Sequence, residues 1–223
     1  MVSVIIPVYN EEATIQDVLN SLPVTDDREV IVVDGGSADK TVELARPFQV
    51  RIVSASKNRA LQMNEGAAVA RGNVLLFLHA DTILDDGALE AVQDCVKTGY
   101  VGGCFTHRID SERIIYRIIE ASGNLRARLF RVFYGDQGIF VRKDVFLSIG
   151  GFDDVRLFED VIFSKRLRRE GKVKVLRKKA RCSPRRWERQ GVVRATLINW
   201  LVTIGFVLGI SPSRLKRVYR DVR

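Results

Sequence analysis

Short apolar runs alternate with amphipathic stretches along the first hundred residues of the chain. The runs are rich in valine and isoleucine and almost continuously apolar, which is typical of strands buried on both faces. Between them, apolar residues recur at the spacing of a helix face. We therefore predict an α/β fold with a mostly parallel, Rossmann-like sheet and helices on both of its faces. The predicted strands are SVIIPVY, EVIVVD, VRIVSA and NVLLFLHAD, and the predicted helices are residues 12–22, a stretch beginning near Ser37, and residues 59–70.

Polar side chains follow the ends of three of these predicted strands. They belong to Asn10 and Glu11, to the segment 34–37, and to His79 and Asp81. Ligands of open α/β sheets bind beyond the carboxyl ends of the strands, so these side chains are the first candidates for a site. An aspartate with a neighbouring histidine is consistent with a Mg²⁺ or Mn²⁺ site completed by substrate phosphates. It is equally consistent with a capped turn.

The segment 100–160 has a less regular pattern and ends in a second group of carboxylates. Glu159 and Asp160 begin a helix whose last turn is basic, an arrangement that the helix dipole favours. The pair therefore serves either as a helix cap or as a general base with a supporting carboxylate. Upstream, the sequence GDQG contains Asp136 and Gln137 and predicts either a plain turn or a site for substrate hydroxyls.

Charge is divided unevenly within a net charge of +9. Residues 1–160 carry 17 Lys and Arg against 24 Asp and Glu, whereas residues 161–223 carry 19 against 3, so the two parts have net charges of −7 and +16. This separation indicates an anionic partner: a phosphorylated ligand, lipid headgroups or nucleic acid. The sequence contains no helix-turn-helix, zinc or RNA-binding signature, and we therefore expect no nucleic acid partner.

The cysteines and the start of the sequence indicate a cytoplasmic protein. Cys95, Cys104 and Cys182 are odd in number and show no C-x-x-C spacing, so neither a disulfide framework nor a zinc site is expected. The sequence begins with VSVIIPVYN after the first methionine and lacks the basic region and cleavage site of a secretory signal. Peripheral attachment to the cytoplasmic face of a membrane remains compatible with this expectation.

The C-terminal part begins with an apolar stretch, residues 195–211, that contains no charged residue. As a helix it would span about 25 Å, which is shorter than the roughly 30 Å hydrocarbon core of a bilayer. The basic segment after Pro212 predicts an amphipathic helix with one apolar face. That face consists of Leu215, Val218, Tyr219 and Val222. Three interpretations remain open: a peripheral membrane anchor, a homodimer interface through residues 195–211, and packing on the chain's own domain.

Four motifs in this order resemble the family-2 inverting glycosyltransferases, which have a GT-A type of nucleotide-sugar fold. They are PVYNE (7–11), VVDGGSADKT (32–41), LHADT (78–82) and FEDVIFSKRLRREG (158–171), and the resemblance covers the span from Val2 to about Arg189. The stretches NRALQMNEGAAVARGNVLLFLHADT and RRWERQG are similar to those of a bacterial subgroup of small, stand-alone members.

The resemblance implies a GT-A domain over residues 1–190, followed by apolar and basic amphipathic helices over residues 191–223. Residues 1–100 would form the nucleotide-sugar-binding half and residues 101–190 the acceptor half. The implied reaction moves a sugar, with inversion, from a nucleotide-diphosphate donor to a hydroxyl or phosphate acceptor. A lipid-linked acceptor would suit a membrane-bound enzyme.

The resemblance also implies a role for each motif residue. Asp160 would be the general base and Glu159 its partner, while Mg²⁺ or Mn²⁺ on the diphosphate would be held by Asp81 with His79. The residues implied in binding the nucleotide sugar are Pro7, Tyr9, Glu11, Asp34, Arg59, Asn64 and Asp81. The residues expected near the acceptor or the diphosphate are Asp136, Gln137, Arg142, Arg185, Arg186 and Trp187.

Two positions depart from the family pattern. His79 replaces the first aspartate of the D-x-D metal motif, so metal binding rests mainly on Asp81. Ser183 replaces the glutamine of the Q-x-x-R-W motif, of which Arg186 and Trp187 are present, and we therefore expect no processive polymerisation.

Two other functions are compatible with the sequence. A nucleotidyltransferase uses a similar sheet and metal but typically needs a glycine-rich, basic loop after the first strand, where this chain has the acidic PVYNEEAT. A non-catalytic module would instead bind a membrane surface or another anionic ligand through the basic C-terminal part.

Overall fold

Eight strands and ten helices make up the part of the chain that the computed structural model describes, residues 1–22, 25–155 and 157–219. The strands are β1 (Val2–Val8), β2 (Arg28–Asp34), β3 (Arg51–Ser54), β4 (Val74–Phe77), β5 (Thr82–Leu84), β6 (Gly102–Ile109), β7 (Ile139–Arg142) and β8 (Val173–Cys182). The helices are α1 (Ile15–Asn20), α2 (Thr41–Ala45), α3 (Arg59–Val69), α4 (Ala88–Lys97), α5 (Ile114–Phe130), α6 (Lys143–Ser148), α7 (Glu159–Glu170), α8 (Arg185–Gln190), α9 (Val192–Val207) and α10 (Pro212–Val218).

The strands form one sheet in the order β3-β2-β1-β4-β7-β6-β8-β5. The first four strands are parallel, and each predicted strand of the first hundred residues lies in this half. In the second half β7 runs antiparallel to both β4 and β6, and β5 runs antiparallel to β8. Only β6 and β8 are parallel there. The predicted α/β fold is confirmed, and the parallel arrangement is concentrated in the first half of the sheet.

Both faces of the sheet are covered, which explains the continuous apolar character of its strands. Successive side chains of a strand point to opposite faces. Ile6 of β1 therefore packs in the apolar cluster that includes α1 and α4, whereas its neighbour Ile5 packs in the cluster that includes α3 and α7. Ile5 and Ile6 are both fully buried.

The helix expected near Ser37 begins later, at Thr41. Ser37 does not cap that helix, because its hydroxyl donates to Asp34 Oδ1 at 2.6 Å and accepts from the backbone N–H of Asn10 at 2.9 Å. The polar residues between β2 and α2 thus form a hydrogen-bonded loop that connects to the end of β1.

Gln62 is a polar side chain at a buried position of α3. Its Nε2 donates to the backbone oxygens of Val8, at 2.8 Å, and Val33, at 2.7 Å, and so links the ends of β1 and β2. Replacing it with an apolar residue would remove both bonds, and the oxygen of Val8 would keep only the backbone N–H of Gly35, at 2.9 Å, as its donor.

We expect Gln62→Leu to lower the free energy of unfolding by about 1–3 kcal/mol for this reason. Urea unfolding followed by circular dichroism measures the change. Glu65→Gln is the control, because Glu65 lies on the same helix and is exposed. Equal unfolding free energies for the two variants would show that the Gln62 bonds do not stabilise the strand ends.

The C-terminal helices pack on the second half of the domain through two small apolar clusters. Ala195 of α9 joins Tyr116 and Trp187 in one cluster. Val202 of α9 and Leu215 of α10 join the other cluster. Leu215, which is 7% exposed, therefore faces the domain and is not available to contact a bilayer. Of the apolar face predicted for this helix, Tyr219 also packs inward and Val218 is exposed. Val222 lies outside the described residues.

None of the helices in the described ranges combines the length and apolar character needed to cross a membrane.

Candidate active site

A cleft lies beyond the carboxyl ends of β1 and β4, where the strand-end side chains predict a site. It consists of two adjoining cavities of about 490 and about 200 Å³. We call the larger one, which reaches Asn199 and Thr203 of α9, the helix-side cavity. The smaller one, which reaches Glu11 and Asp81, is the strand-end cavity. The residues that line both are Arg59, Gln62, Tyr134, Asp136, Asp160, Arg186, Trp187 and Tyr219.

The strand-end cavity brings together the predicted residues of β1 and β4. Pro7, Tyr9 and Glu11 line one side, and His79 and Asp81 line another. Helix α8 closes this cavity from a third direction, since Arg185 Nη2 donates to Glu11 Oε2 at 2.7 Å. Residues that are far apart in the sequence therefore meet here.

Asp81 is held in a partly buried and negatively charged environment. Burial raises the pKa of Asp81, and the nearby carboxylate of Glu11 raises it further, while Arg185 and Arg59 oppose the shift. The oxygen atoms of Asp81 suit a hard divalent cation, whose positive charge would relieve this repulsion. No three metal-ligating side chains converge in the described part of the chain. Asp81 therefore fits a cation that takes most of its ligands from a bound diphosphate.

His79 lies beside a short 3₁₀ turn, Gly135–Gln137, whose first two residues line the strand-end cavity together with Asp81 and Asp160. A Cβ atom on Gly135 would lie only 2.5 Å from His79 Nε2 and 3.5 Å from Asp160 Oδ2. This close approach requires glycine at position 135.

Asp160 and Glu159 form the first turn of α7, and the residue before them has an unusual backbone. Phe158 has a φ of 65°, a left-handed conformation that costs a non-glycine residue about 1–2 kcal/mol. Its ring stacks on Phe206 of α9 with centroids 4.5 Å apart, which stabilises this conformation. The left-handed conformation of Phe158 turns the chain at the start of α7, so that the carboxylates of Glu159 and Asp160 reach the cleft.

The two carboxylates have different partners. Asp160 Oδ2 accepts the backbone N–H of Gly135 at 2.6 Å, and Oδ1 accepts that of Val161 at 2.7 Å. Glu159 is buried and lies 3.5 Å from Arg59 Nη1. Burial and the negative charge of Glu159 raise the pKa of Asp160 to about 7 in spite of the two hydrogen bonds. A carboxyl with this pKa exchanges a proton readily near neutral pH.

The pKa of Asp136, which lines the same cleft, is shifted in the opposite direction. Burial alone would raise the pKa of Asp136, but His107 and Arg126 outweigh it and bring the pKa below its usual value. Asp136 Oδ2 lies 3.5 Å from His107 Nε2, which in turn is 3.0 Å from Cys182 Sγ. Asp136 is therefore ionised near neutral pH, whereas Asp160 is poised to gain or lose a proton.

Two arginines of α8 have separate partners. Arg185 contacts Glu11, as described above, whereas Arg186 donates to Tyr219 Oη and, at 2.9 Å, to Asn199 Oδ1. Trp187 lines the cleft while its ring packs edge-on against Tyr116 with centroids 6.0 Å apart. Helix α8 thus joins the C-terminal helices to the cleft.

Arg142 and Asn64 lie outside the lining of the cleft. Arg142 ends β7, which is antiparallel to β4, so it pairs with Val74 at the opposite edge of the sheet and forms an ion pair with Asp144. Asn64 accepts the backbone N–H of Phe152 and donates to its oxygen, each at 2.9 Å, and so supports the loop before α7.

Asp34 and Gln137 also have structural partners and do not line either cavity. Asp34 accepts the backbone N–H groups of Gly36 and Ser37 at 3.0 to 3.2 Å and so caps the turn that follows β2. Gln137 is buried, and its Oε1 accepts from Arg126 and from the backbone of Tyr134 at 3.1 Å.

Several lining residues are missing from the sequence-based set. Gln62 could have been found, because a glutamine among the apolar positions of a helix signals a buried hydrogen-bonding role. Lys57, whose Nζ lies 3.7 Å from the centre of the Tyr9 ring, has no comparable signal. Tyr134 directly precedes the GDQG segment, so its position near the site could have been inferred. His107 does not line either cavity and reaches the site only through its contact with Asp136.

Four parallel strands have carboxylates beyond their ends. Mixed strands extend this half-sheet, and helix α7 brings a second pair of carboxylates to the same cleft. This arrangement defines a fold of the GT-A type. Residues 3–152 match the family described as "Glycosyl transferase family 2". Since this match covers more than half of the sequence, the chain belongs to glycosyl transferase family 2.

Individual relatives agree with this assignment. The poly-beta-1,6-N-acetyl-D-glucosamine synthase of Staphylococcus epidermidis is 27% identical over 190 residues, which cover 74% of this chain and 45% of the synthase. The chain therefore spans less than half the length of that relative.

Solved structures show the same fold at low sequence identity. S. aureus TarS 1–349, crystallised with UDP-GlcNAc, has a TM-score of 0.65 at 15% identity over 97% of this chain and 70% of that one. The mannosyltransferase PcManGT from Pyrobaculum calidifontis, in complex with GDP-Man and Mn²⁺, has a TM-score of 0.63 at 19% identity over 81% of this chain and 56% of that one.

Proposed function

We propose that the protein is an inverting glycosyltransferase that moves a sugar from a nucleotide-diphosphate donor to a hydroxyl or phosphate acceptor. The observation that carries this proposal is the pair Asp81 and Asp160, two carboxylates with raised pKa values that line the same strand-end cavity. The carboxylate of Asp81 suits the binding of a cation, and the carboxylate of Asp160 suits the transfer of a proton. A displacement at a sugar carbon uses a base on the side of the acceptor and positive charge on the side of the departing diphosphate.

The donor nucleotide would occupy the strand-end cavity. Pro7, Tyr9 and Glu11 would surround its base and ribose, and Asp81, with His79, would hold Mg²⁺ or Mn²⁺ on its diphosphate. The cation, when bound, supplies positive charge that stabilises the departing diphosphate. The guanidinium groups that line the same cleft, those of Arg59, Arg185 and Arg186, would add to this stabilisation.

The acceptor would occupy the helix-side cavity. For a hydroxyl acceptor, Asp160 takes the hydroxyl proton while the oxygen forms a bond to the anomeric carbon. The bond from that carbon to the diphosphate oxygen breaks, and the nucleoside diphosphate leaves from the opposite face, which inverts the configuration. Lys57, Arg186 and Lys216 line this cavity. The carboxylate of Glu159, which also lines it, pairs with Arg59, so these three basic side chains would accommodate an acceptor that carries a negative charge. A lipid-linked phosphate would meet this requirement.

The donor can be identified by thermal unfolding of the protein with UDP, GDP, CDP or dTDP, each with and without Mn²⁺. We expect the melting temperature to rise with one nucleotide, and only when the metal is present. The matching nucleotide sugar should then yield a nucleoside diphosphate. Release of free diphosphate would favour the nucleotidyltransferase, and binding of no nucleotide sugar would favour the non-catalytic module.

The pH dependence tests the role of Asp160. Because the active base is the ionised form, kcat/KM should rise with pH and level off above about 7. Glu159→Gln removes the negative charge that helps to raise this pKa, so the rising limb should move to lower pH. Initial rates from pH 5 to 9 measure both profiles. A limb that stays in place in the variant would contradict the coupling of the two carboxylates.

A further inference from the structure

Exposed apolar side chains are concentrated on two helices. Among the described residues, seventeen large hydrophobic side chains are exposed, of which six belong to α5 and eight to α9 and the turn that follows it. On α5 they are Ile114, Ile115, Ile118, Leu125, Leu129 and Phe130. On α9 and its turn they are Val193, Leu197, Trp200, Leu201, Ile204, Val207, Leu208 and Ile210. We call these fourteen residues the apolar surface.

The apolar surface lies on the sides of α5 and α9 that face away from the domain. On α9 the buried positions are Ala195, Val202 and Gly205, whereas Leu197, Ile204 and others between them are exposed. The helix is therefore apolar on both sides but packed on only one. The two helices also meet the same interior, since Tyr116 of α5 and Ala195 of α9 belong to one apolar cluster. Large exposed apolar side chains that are grouped on two helices in this way mark a contact site.

The charges around the apolar surface are almost all positive. From Arg189 to Tyr219 the sequence contains no acidic residue. The acidic residue of α5, Glu120, is buried and paired with Arg108 and Arg117, and Glu112 is exposed just before that helix. The exposed basic residues on or next to α5, α9 and α10 are Arg113, Arg128, Arg131, Arg194, Arg214 and Arg217.

We propose that α5 and α9 bind the surface of a lipid bilayer that contains anionic lipids. An apolar face bordered by arginines matches both layers of such a surface, the acyl chains and the negative headgroups. A second copy of the chain would satisfy the apolar side chains. A symmetric dimer, however, would bring two sets of these arginines together, and the exposed acidic residues near them, such as Glu112 and Glu188, are fewer. The charge therefore favours the bilayer.

The anchor expected from the sequence combined the apolar stretch 195–211 with the basic amphipathic helix after Pro212. Leu215 of that last helix packs inward in the structure. The proposed contact therefore keeps α9, loses the apolar face of the last helix and adds α5, which the sequence did not indicate. Because Asn199 and Thr203 on the packed side of α9 line the helix-side cavity, the bilayer would lie next to the cleft.

Binding to vesicles of phosphatidylglycerol and phosphatidylcholine tests the proposal, with vesicles of phosphatidylcholine alone as the reference. At physiological salt the protein should sediment with the anionic vesicles. The fluorescence of Trp200, which is 58% exposed, should shift to shorter wavelength, whereas the other tryptophan, Trp187, is already buried. The double variant Leu201→Gln/Ile204→Gln should bind at least about tenfold more weakly. Ile118→Gln/Leu129→Gln tests the contribution of α5 in the same way.

Leu147→Gln is the matched control, because Leu147 is an equally exposed leucine on α6 and outside the apolar surface. Since every substituted residue is exposed, all variants should keep the circular dichroism and melting temperature of the parent protein. No sedimentation with anionic vesicles would overturn the proposal, as would binding that the glutamine variants leave unchanged. A lipid-free dimer that Leu201→Gln/Ile204→Gln dissociates, without vesicle binding, would replace the bilayer by a second copy of the chain.

Discussion

Asp160→Asn is expected to reduce the turnover of sugar transfer by about 10²- to 10⁴-fold, which is the usual contribution of a general base. The amide keeps the size of the side chain and can still accept the backbone N–H of Gly135, but it cannot take a proton from the acceptor. Donor binding should change little, because the strand-end residues remain in place.

The variant should also be somewhat more stable at pH 7 and above. The raised pKa means that the ionised form of Asp160 destabilises the folded protein there, and stability falls as pH rises from about 4 to about 7.

Single-turnover rates with the identified donor, together with nucleotide-induced melting shifts, separate these effects. Glu170→Gln is the control, since Glu170 ends the same helix and is exposed. Unchanged turnover in Asp160→Asn would assign the proton transfer to another group. Loss of the melting shift would instead indicate that the substitution had disturbed the donor site.

Asp81→Asn is expected to abolish the metal-dependent part of nucleotide binding and to weaken the affinity for the nucleoside diphosphate in Mn²⁺ by tenfold or more. A neutral amide is a poor ligand for a hard cation, and no group of three metal-ligating side chains exists among the described residues to hold the cation in its place. Without ligand, the variant should melt at a higher temperature than the parent protein. The raised pKa of Asp81 shows that its charge is unfavourable in the folded protein, where burial and Glu11 oppose it.

Thermal unfolding measures both effects in one experiment, as the melting temperature without ligand and as its rise with nucleotide and Mn²⁺. Asp86→Asn provides the control, because Asp86 is exposed and close in sequence. A variant that kept the full metal-dependent rise would exclude Asp81 as the residue that holds the cation. A lower melting temperature without ligand would contradict the electrostatic strain inferred for this carboxylate.

The first half of the fold was predictable because its signals are local. Val4, Ile5 and Ile6 are all apolar only because both faces of β1 are buried, and crossover helices between such strands produce a parallel sheet. The antiparallel pairing of β4 and β7 has no local signal, since the two strands are separated by more than sixty residues. The direction of β7 was therefore unknown from the sequence, and Arg142 was expected at the wrong edge of the sheet.

The residues of the candidate site also divide into those with a local signal in the sequence and those without one. Glu11, Asp81 and Asp160 stand next to strands or helix ends that the pattern locates, and the structure brings all three to one cleft. The pKa shift of Asp136 depends on His107, which approaches from a strand on the other side of the turn. Such a contact depends on tertiary structure, and composition or spacing does not report it. The inward packing of Leu215 was likewise decided by the partners available on α9 and not by the amphipathic pattern.

The stacking of Phe158 on Phe206 has a consequence for how such proteins diversify. Phe158 precedes the proposed base by two positions, and its left-handed backbone is supported by an aromatic ring from the C-terminal helices. Replacement of these helices by others would therefore remove the ring that supports the turn before the proposed base. We expect a C-terminal segment without a ring at the place of Phe206 to be tolerated better when position 158 is glycine, which adopts a left-handed backbone without strain.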